Sequence, residues 1–273
     1  MSRVRKSAVA GYFYPANPDE LREDIELFLN NSKPQVNVNN IFGVISPHAG
    51  YLYSGSTAAY SYNIIRDQDI KTVVIISPSH REYFAGNCIY DGDAYETPLG
   101  KIPLNKLMIE KLIENRKYIF KGITGHGAEH AIEVQLPFLQ TVLKQFEIVP
   151  IVMGDQNKLF ISELSSKLAE VIDDKTIIVA SSDLSHYHAK LKAHELDSIV
   201  ERRIIDFEYE QLREDLEGGA CEACGGGPIV AMMQTAAMLN KKKSVILHRS
   251  DSGDTSGDNN EVVGYLSAVI YGD

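Results

Sequence analysis

Three times in this chain an apolar run that reads as a buried strand ends by presenting a histidine. Val44-Ile45-Ser46-Pro47-His48 leads into Ala49-Gly50-Tyr51-Leu52-Tyr53-Ser54-Gly55, and Val73-Val74-Ile75-Ile76-Ser77-Pro78-Ser79-His80 repeats the grammar. Ile177-Ile178-Val179-Ala180-Ser181-Ser182-Asp183-Leu184-Ser185-His186 gives it again without the proline. Strands that are apolar on both faces belong to sheets covered on both sides, and in open α/β sheets ligands bind in the crevice beyond the strands' carboxyl ends. Proline removes a backbone donor and fixes its own φ, so the chain leaves the sheet there while the residue before it stays extended. The chain has eight histidines. Three of them at equivalent strand ends point to one shared site.

Between these runs the pattern turns helical. Asn17-Pro18-Asp19-Glu20 supplies an N-cap, a proline at the first helical position and acids in the first turn, and Leu21, Ile25, Phe28 and Leu29 follow at helical spacing. Helices are also expected at residues 54–66, 105–114 and 158–171, twice within 188–217, and from the Gly225-Gly226-Gly227-Pro228 turn to 239. The glycine-bearing stretch 50–55 reads as the turn joining the first strand to its helix, able to bring backbone N–H groups toward a ligand. Further strands are expected at residues 87–90, 147–152, 244–248 and 261–271, with polar 250–260 as a loop and the irregular 78–100 region as a wall or lid for a site. Strands alternating with helices give an α/β fold: a three-layer α/β/α architecture with a mostly parallel central sheet. At 273 residues it is expected as a single domain spanning 1–273.

Composition narrows the function. A net charge of -10 disfavours a nucleic-acid surface, which needs clustered Lys and Arg. The short Lys241-Lys242-Lys243 run reads as a solvated turn. No apolar run approaches a membrane span, and the basic opening Met1-Ser2-Arg3-Val4-Arg5-Lys6 lacks the apolar core of a signal peptide, so a cytoplasmic location is expected. Three cysteines, Cys88, Cys221 and Cys224, are too few for a disulfide scaffold and fit a reducing compartment.

Two histidines with one anionic ligand make a facial set with open positions, the arrangement that holds non-heme Fe(II) beside its substrate. His48 and His80 suit it, and Cys224 or Asp183 could be the third ligand. A carboxylate keeps Fe(II) favoured, whereas a thiolate shifts preference toward Cu(I) or Zn. Cys224 precedes three glycines and a proline at a helix start, where the helix dipole favours a thiolate. Cys221 makes a Cys-x-x-Cys pair with it, but no second pair exists for a structural zinc ribbon. His186 follows Asp183 by three residues, so the two could act as ligands, as supporting partners or as an acid/base pair. In Glu129-His130-Ala131-Ile132-Glu133, His130 and Glu133 stand at i, i+3 near a helix start, and neighbours at that spacing share a face. Ser182, Asp183 and His186 could assemble a hydrolase, without the Gly-x-Ser-x-Gly elbow.

Taken together, Ser46-Pro47-His48-Ala49-Gly50-Tyr51 with Ser54-Gly55, Ser77-Pro78-Ser79-His80, Glu129-His130-Ala131-Ile132-Glu133-Val134-Gln135-Leu136-Pro137, Ser181-Ser182-Asp183-Leu184-Ser185-His186 and Ala223-Cys224-Gly225 closely resemble the Memo family, in that family's order and over nearly the whole chain. Microbial members are called AmmeMemoRadiSam system protein B, for their association with an AMMECR-type protein and a radical SAM protein. The resemblance implies a fold similar to the class III extradiol dioxygenases, whose non-heme iron is held by two histidines and a glutamate. It further implies that His48, His80 and Cys224 line a metal pocket, with Asp183 and His186 beside it as acid/base or supporting groups and His130 and Glu133 as further supporting candidates. Cys224 stands where the dioxygenases use a carboxylate, a departure that counts against catechol-type ring cleavage. The expected function is therefore a metal-binding protein, its ion Fe(II) or copper with zinc as a third choice, carrying out redox or oxygen chemistry on an unidentified small molecule. The alternatives are a non-enzymatic protein that binds a small-molecule or peptide ligand in the same pocket, and a metal-dependent hydrolase.

Overall fold

The structure, a computed structural model, describes residues 3–273; Met1 and Ser2 of the basic opening lie outside it. Its centre is four parallel strands in the order Ile41–Ser46, Thr176–Ser181, Thr72–Pro78 and Glu147–Met153. Apart from Glu147 every residue in them is buried, as runs of Val and Ile covered on both faces require. Antiparallel strands extend the sheet on both sides. Val262–Tyr271 lies beside Ile41–Ser46 and carries Lys243–Asp251 and the short His186–His188. At the other side Asn87–Tyr90 pairs with Glu147–Met153 and then with Ile119–Gly122.

Helices flank this sheet. In one layer Pro18–Asn31, Tyr51–Asn63 and Leu136–Val142 pack on one another. Asn17 caps the first of them, its Oδ1 accepting from the backbone N–H of Asp19 at 2.8 Å and of Glu20 at 3.2 Å, while Leu21, Ile25 and Leu29 face inward. The other layer holds Lys158–Val171, Gly226–Met238 and Tyr209–Glu217. Close approach of this layer needs Gly43, since a Cβ there would come within 2.6 Å of Met232 Sδ and 2.5 Å of the Ile178 carbonyl oxygen. Lys190–Ile205 lies against the antiparallel strands. Among the described residues no helix is long and apolar enough to cross a membrane.

The topology brings the strand ends together. Ile41–Ser46 and Thr72–Pro78 both flank Thr176–Ser181 in parallel, with Ser46 level with Ser181 and Ile76 level with Ala180. The residues just past these three strands, His48, His80 and Asp183, therefore emerge side by side at one edge.

Several local expectations are corrected. The helix expected at residues 54–66 is Tyr51–Asn63, begun by the Tyr51 N–H donating to the Phe13 carbonyl at 2.8 Å. Gly55 is thus helical and gives room to the Phe28 ring, which a Cβ would meet at 2.7 Å; it is no part of a ligand-binding turn. The irregular region after residue 78 contains Ala94–Thr97 and Gly100–Pro103, which form a separate three-stranded sheet with Val4–Arg5. Residues 250–260 are not wholly loop: the preceding strand runs to Asp251 and a short helix covers Gly253–Ser256.

Candidate functional site

His48 is 1% exposed, and its surroundings settle its orientation atom by atom. Its backbone N–H donates to Asp183 Oδ1 at 2.7 Å, and its ring Nδ1 lies 2.9 Å from Ser181 Oγ. The Ser181 hydroxyl donates its proton to the Ala131 carbonyl at 2.7 Å and accepts from Gln135 Nε2 at 2.8 Å. Gln135 is oriented in turn, its other N–H donating to the Pro47 carbonyl at 3.0 Å and its Oε1 accepting from the Tyr62 hydroxyl. With the serine proton committed, the remaining polarity is His48 Nδ1–H donating to Ser181 Oγ. Nε2 then keeps its lone pair, which faces Cys224 Sγ at 3.1 Å. Burial, followed by the neighbouring rings of His80, His130 and His186, holds the His48 pKa well below its ordinary value.

His80 is fixed by a different residue, Glu129. The carboxylate accepts from His80 backbone N–H at 2.6 Å and from ring Nδ1 at 2.9 Å, and its Oε1 also takes the N–H groups of His130 and Ala131 at 2.9 Å each. Burial alone would raise this carboxyl, but the hydrogen bonds from His80 and the Ala131 N–H prevail and hold it down at about 2. An ionised carboxylate only accepts, so His80 also carries its proton on Nδ1 and leaves Nε2 open. His130 stacks on His80 with ring centroids 4.9 Å apart and meets His48 edge-on at 5.5 Å. Burial lowers the His130 pKa to about 4.

Cys224 arrives from the other layer. The turn before helix Gly226–Met238 folds over the end of Thr176–Ser181, where a Cβ at Gly225 would collide with the Ser181 carbonyl and sit 2.8 Å from Ser182 Cβ. The Asp183 N–H points at Cys224 Sγ at 3.3 Å. The helix dipole does not give a thiolate here, contrary to the sequence-based expectation: burial, with the Asp183 carboxyl beside it, pushes the thiol well above its ordinary value. The helix start is also already capped, Gly225 N–H by Ser182 Oγ at 2.9 Å and Gly227 N–H by Gln156 Oε1 at 2.6 Å. Burial pushes the Asp183 carboxyl up to about 6, opposed by the His48 N–H and the nearby His186 ring. Its Oδ2 lies 3.9 Å from His48 Nε2.

One donor atom from each of His48, His80 and Cys224 lies within 4.8 Å of the others. His80, Glu129 and His130 form a second such group. His186 stands at the margin, its Nδ1–H donating to the Leu184 carbonyl at 2.8 Å. Ser182 Oγ donates to the Asp183 carbonyl at 2.7 Å rather than to His186, so no serine hydrolase relay is assembled. Glu133 is committed away from the histidines. Its carboxylate takes the guanidinium of Arg5, the N–H groups of Ala8 and Val9 at 2.8 and 3.0 Å, and the Tyr14 hydroxyl at 2.5 Å. Sequence reading missed Glu129, Gln135 and Ser181, although all three stand inside the blocks singled out above; only polar residues repeatedly adjacent to the histidine ends marked them.

Comparison with known proteins identifies the family. The profile of the family described as Memo-like protein matches residues 5–269. A MEMO1 family protein of Thermoplasma volcanium is 39% identical over 267 residues, 97% of this chain and 98% of that protein. One from Methanocaldococcus jannaschii is 36% identical over 287 residues, covering 99% of this chain and all of its own length (100%). The crystal structure of an uncharacterized protein from Escherichia coli K12 superposes with a TM-score of 0.56 at 14% identity, over 84% of this chain and 99% of that one, a likeness of fold. A profile match over residues 5–269 and relatives this similar from end to end establish that the protein belongs to the Memo family.

Proposed function

We propose that the chain is a metal-binding protein in which His48, His80 and Cys224 hold a transition-metal ion through two Nε2 atoms and one Sγ, and that it carries out metal-dependent redox or oxygen chemistry on a small molecule. The observation that carries the reading is the pair of pre-set tautomers: both imidazoles have their Nδ1 atoms engaged by Ser181 and Glu129, leaving both Nε2 lone pairs free near a cysteine sulfur. Metal-ligating histidines are held in this way, with the other ring nitrogen donating to an oxygen. Two imidazoles and a thiolate, the Cys224 proton being displaced as the ion binds, shift preference toward copper or zinc and leave Fe(II) as a further candidate.

When bound, such an ion supplies Lewis acidity and, if it is iron or copper, an electron-transfer couple. The protein supplies orientation and proton handling. Ser181 and Glu129 keep the two rings from turning. Asp183, whose carboxyl is pushed up by burial, can hold or release a proton at Oδ2 beside the site. His186, with Nδ1–H committed to Leu184, offers Nε2 as an acceptor. His130 packs against both ligand rings and limits their movement.

The test is metal content after anaerobic purification, compared with His48→Ala, His80→Ala and Cys224→Ser, each checked for folding. Near-stoichiometric iron or copper that disappears in all three supports the ligand set, and substrate-dependent oxygen uptake then tests turnover. A folded chain that takes up no transition metal when supplied with one refutes the metal reading and leaves a pocket that binds a ligand without turnover. Three free cysteines suit a cytoplasmic location. Association with AMMECR-type and radical SAM proteins is tested by co-purification.

A further inference from the structure

The strand Lys243–Asp251 pairs with Val262–Tyr271 on one side and, among the described residues, with no strand on the other. Both of its faces are covered. Toward Lys190–Ile205, Ser244 Oγ donates to the Ile204 carbonyl at 2.5 Å, and the Arg249 guanidinium reaches Ser198 Oγ at 2.9 Å and Glu201 at 2.5 Å. Toward Tyr51–Asn63, the His248 ring stacks on Tyr60 with centroids 4.5 Å apart, and Ser250 Oγ lies 2.6 Å from Thr57 Oγ1. Yet every residue from 244 to 250 remains only half-buried, whereas the neighbouring Val262–Tyr271 is almost wholly buried. A strand covered on both faces and still exposed along its length is exposed through its edge, where unpaired N–H and C=O groups form a template for another strand.

The sequence of this edge is matched to its own reverse. Antiparallel pairing of two copies about a two-fold axis at Leu247 sets Lys243 against Asp251 of the second copy, and Ser244 against Ser250. The Lys241-Lys242-Lys243 run leads into the strand, while residues 251–261 that lead out of it hold Asp251, Asp254, Asp258 and Glu261 and no Lys or Arg. Lys242, Lys243, Asp254 and Asp258 are exposed. Pairs within the chain offset part of this charge: Lys243 with Asp273, and Lys190 with Asp254 at 2.6 Å and Asp251 at 3.1 Å. The reversed arrangement brings each basic run to the other copy's acidic turn, which opposes the general repulsion between two chains of net charge -10. Lysines along an edge strand discourage pairing. Here they stand at its end and leave Val245-Ile246-Leu247 uncharged at the centre, and the register shift between Ile246 and His248 falls on the axis.

We propose that this edge is the interface of a homodimer, in which Lys243–Asp251 of two copies pair antiparallel about Leu247 and join two central sheets into one. Main-chain hydrogen bonds supply the contact, and the charged ends fix its register. His48, His80 and Cys224 take no part in it, so the dimer stands or falls independently of the metal-binding reading.

Sedimentation equilibrium of the full chain, from micromolar to submillimolar concentration, should show a reversible rise to twice the 30.3 kDa chain mass. The dissociation constant should increase at least tenfold between about 0.1 and about 1 M salt, over which the screening length falls from about 10 to about 3 Å. Lys242→Glu combined with Lys243→Glu, at two exposed positions, should weaken the dimer at least tenfold while the circular dichroism spectrum is unchanged. Register has its own readout. Leu247→Cys stands opposite its own copy, so oxidised glutathione should link it into a disulfide dimer, at least fivefold more than Val245→Cys, which stands opposite Arg249; the unmodified chain gives the background from the native cysteines. A chain that stays monomeric at every concentration overturns the proposal, even if it captures a strand of another protein. A dimer that the double charge reversal leaves as tight, or that folded Leu247→Cys does not link above background, uses another face and overturns it too.

Discussion

Replacing Arg5 by Met tests how the opening segment supports a site made by residues far along the chain. Arg5 is 5% exposed and Glu133 fully buried at 0%. The guanidinium pairs with Glu133 and donates to the backbone carbonyls of His126 at 3.0 Å, of Gly127 at 3.3 Å and of Glu129. It thereby braces the loop that aims Glu129 at His80. Methionine retains an apolar stem beside the Tyr95 ring but no donor, so Glu133 keeps only Ala8 N–H, Val9 N–H and the Tyr14 hydroxyl. Breaking a buried ion pair by removing one partner destabilises by about 3–5 kcal/mol, and the three remaining donors place this case near the lower end. In a larger domain about 3 kcal/mol corresponds to a melting temperature lowered by roughly 6–12 °C. Urea unfolding followed by circular dichroism measures it, and a cycle with Glu133→Gln isolates the pair. The double variant should be less destabilised than the sum of the singles by about 1–3 kcal/mol. A loss below about 1 kcal/mol in Arg5→Met, or strict additivity in the cycle, would refute the reasoning.

Three further outcomes follow from the same geometry. Glu129→Gln leaves His80 Nδ1 with a weaker acceptor, so metal affinity in a competition titration should fall by about 10–100-fold while the circular dichroism spectrum is unchanged; equal affinity would show that His80 is held by packing alone. Gly225→Ala drives a Cβ into the Ser181 carbonyl, which should cost about 1–3 kcal/mol in denaturant unfolding and displace Cys224 from His48; full stability together with full metal content would contradict the close approach. His126 is buried, with Nε2 3.0 Å from the Cys88 carbonyl and Nδ1 2.6 Å from the Tyr95 hydroxyl, and burial lowers its pKa from 6.5 to about 4. The unfolded chain therefore takes up this proton first as pH falls, and stability present above pH 6.5 is lost toward pH 4. Between pH 7 and 5 the unmodified chain should lose about 2 kcal/mol more than His126→Gln, and parallel losses in the two would place the acid sensitivity elsewhere.

How much of this was legible in the sequence differs from residue to residue. The central strands were readable because burial on both faces demands uninterrupted Val and Ile, and Pro47 and Pro78 mark locally where the chain must leave the sheet. The first helix announced its own start through Asn17 and Pro18. Weaker signals failed: Ala94–Thr97, Gly100–Pro103 and Ile119–Gly122 are four-residue strands lacking such runs, and they exist because other segments offer them an edge. Tyr51 was placed outside its helix because what starts that helix is the carbonyl of Phe13, nearly forty residues earlier in the chain.

At the site the division is sharper. His48, His80, Asp183 and Cys224 could be picked out from their positions after apolar runs or before a glycine turn, which are local properties. Their convergence follows from the strand order, in which Thr176–Ser181 lies between Ile41–Ser46 and Thr72–Pro78. Choosing between Glu129 and Glu133 was beyond the sequence, since both stand in the same short stretch. Glu133 is claimed by Arg5, 128 positions away, while Glu129 is left to His80. The chain's own order thus determined which chemical groups are delivered and at which strand ends. Only the tertiary structure decided each proton's place, because tautomer and ionisation depend on burial and on hydrogen-bond partners contributed by distant segments.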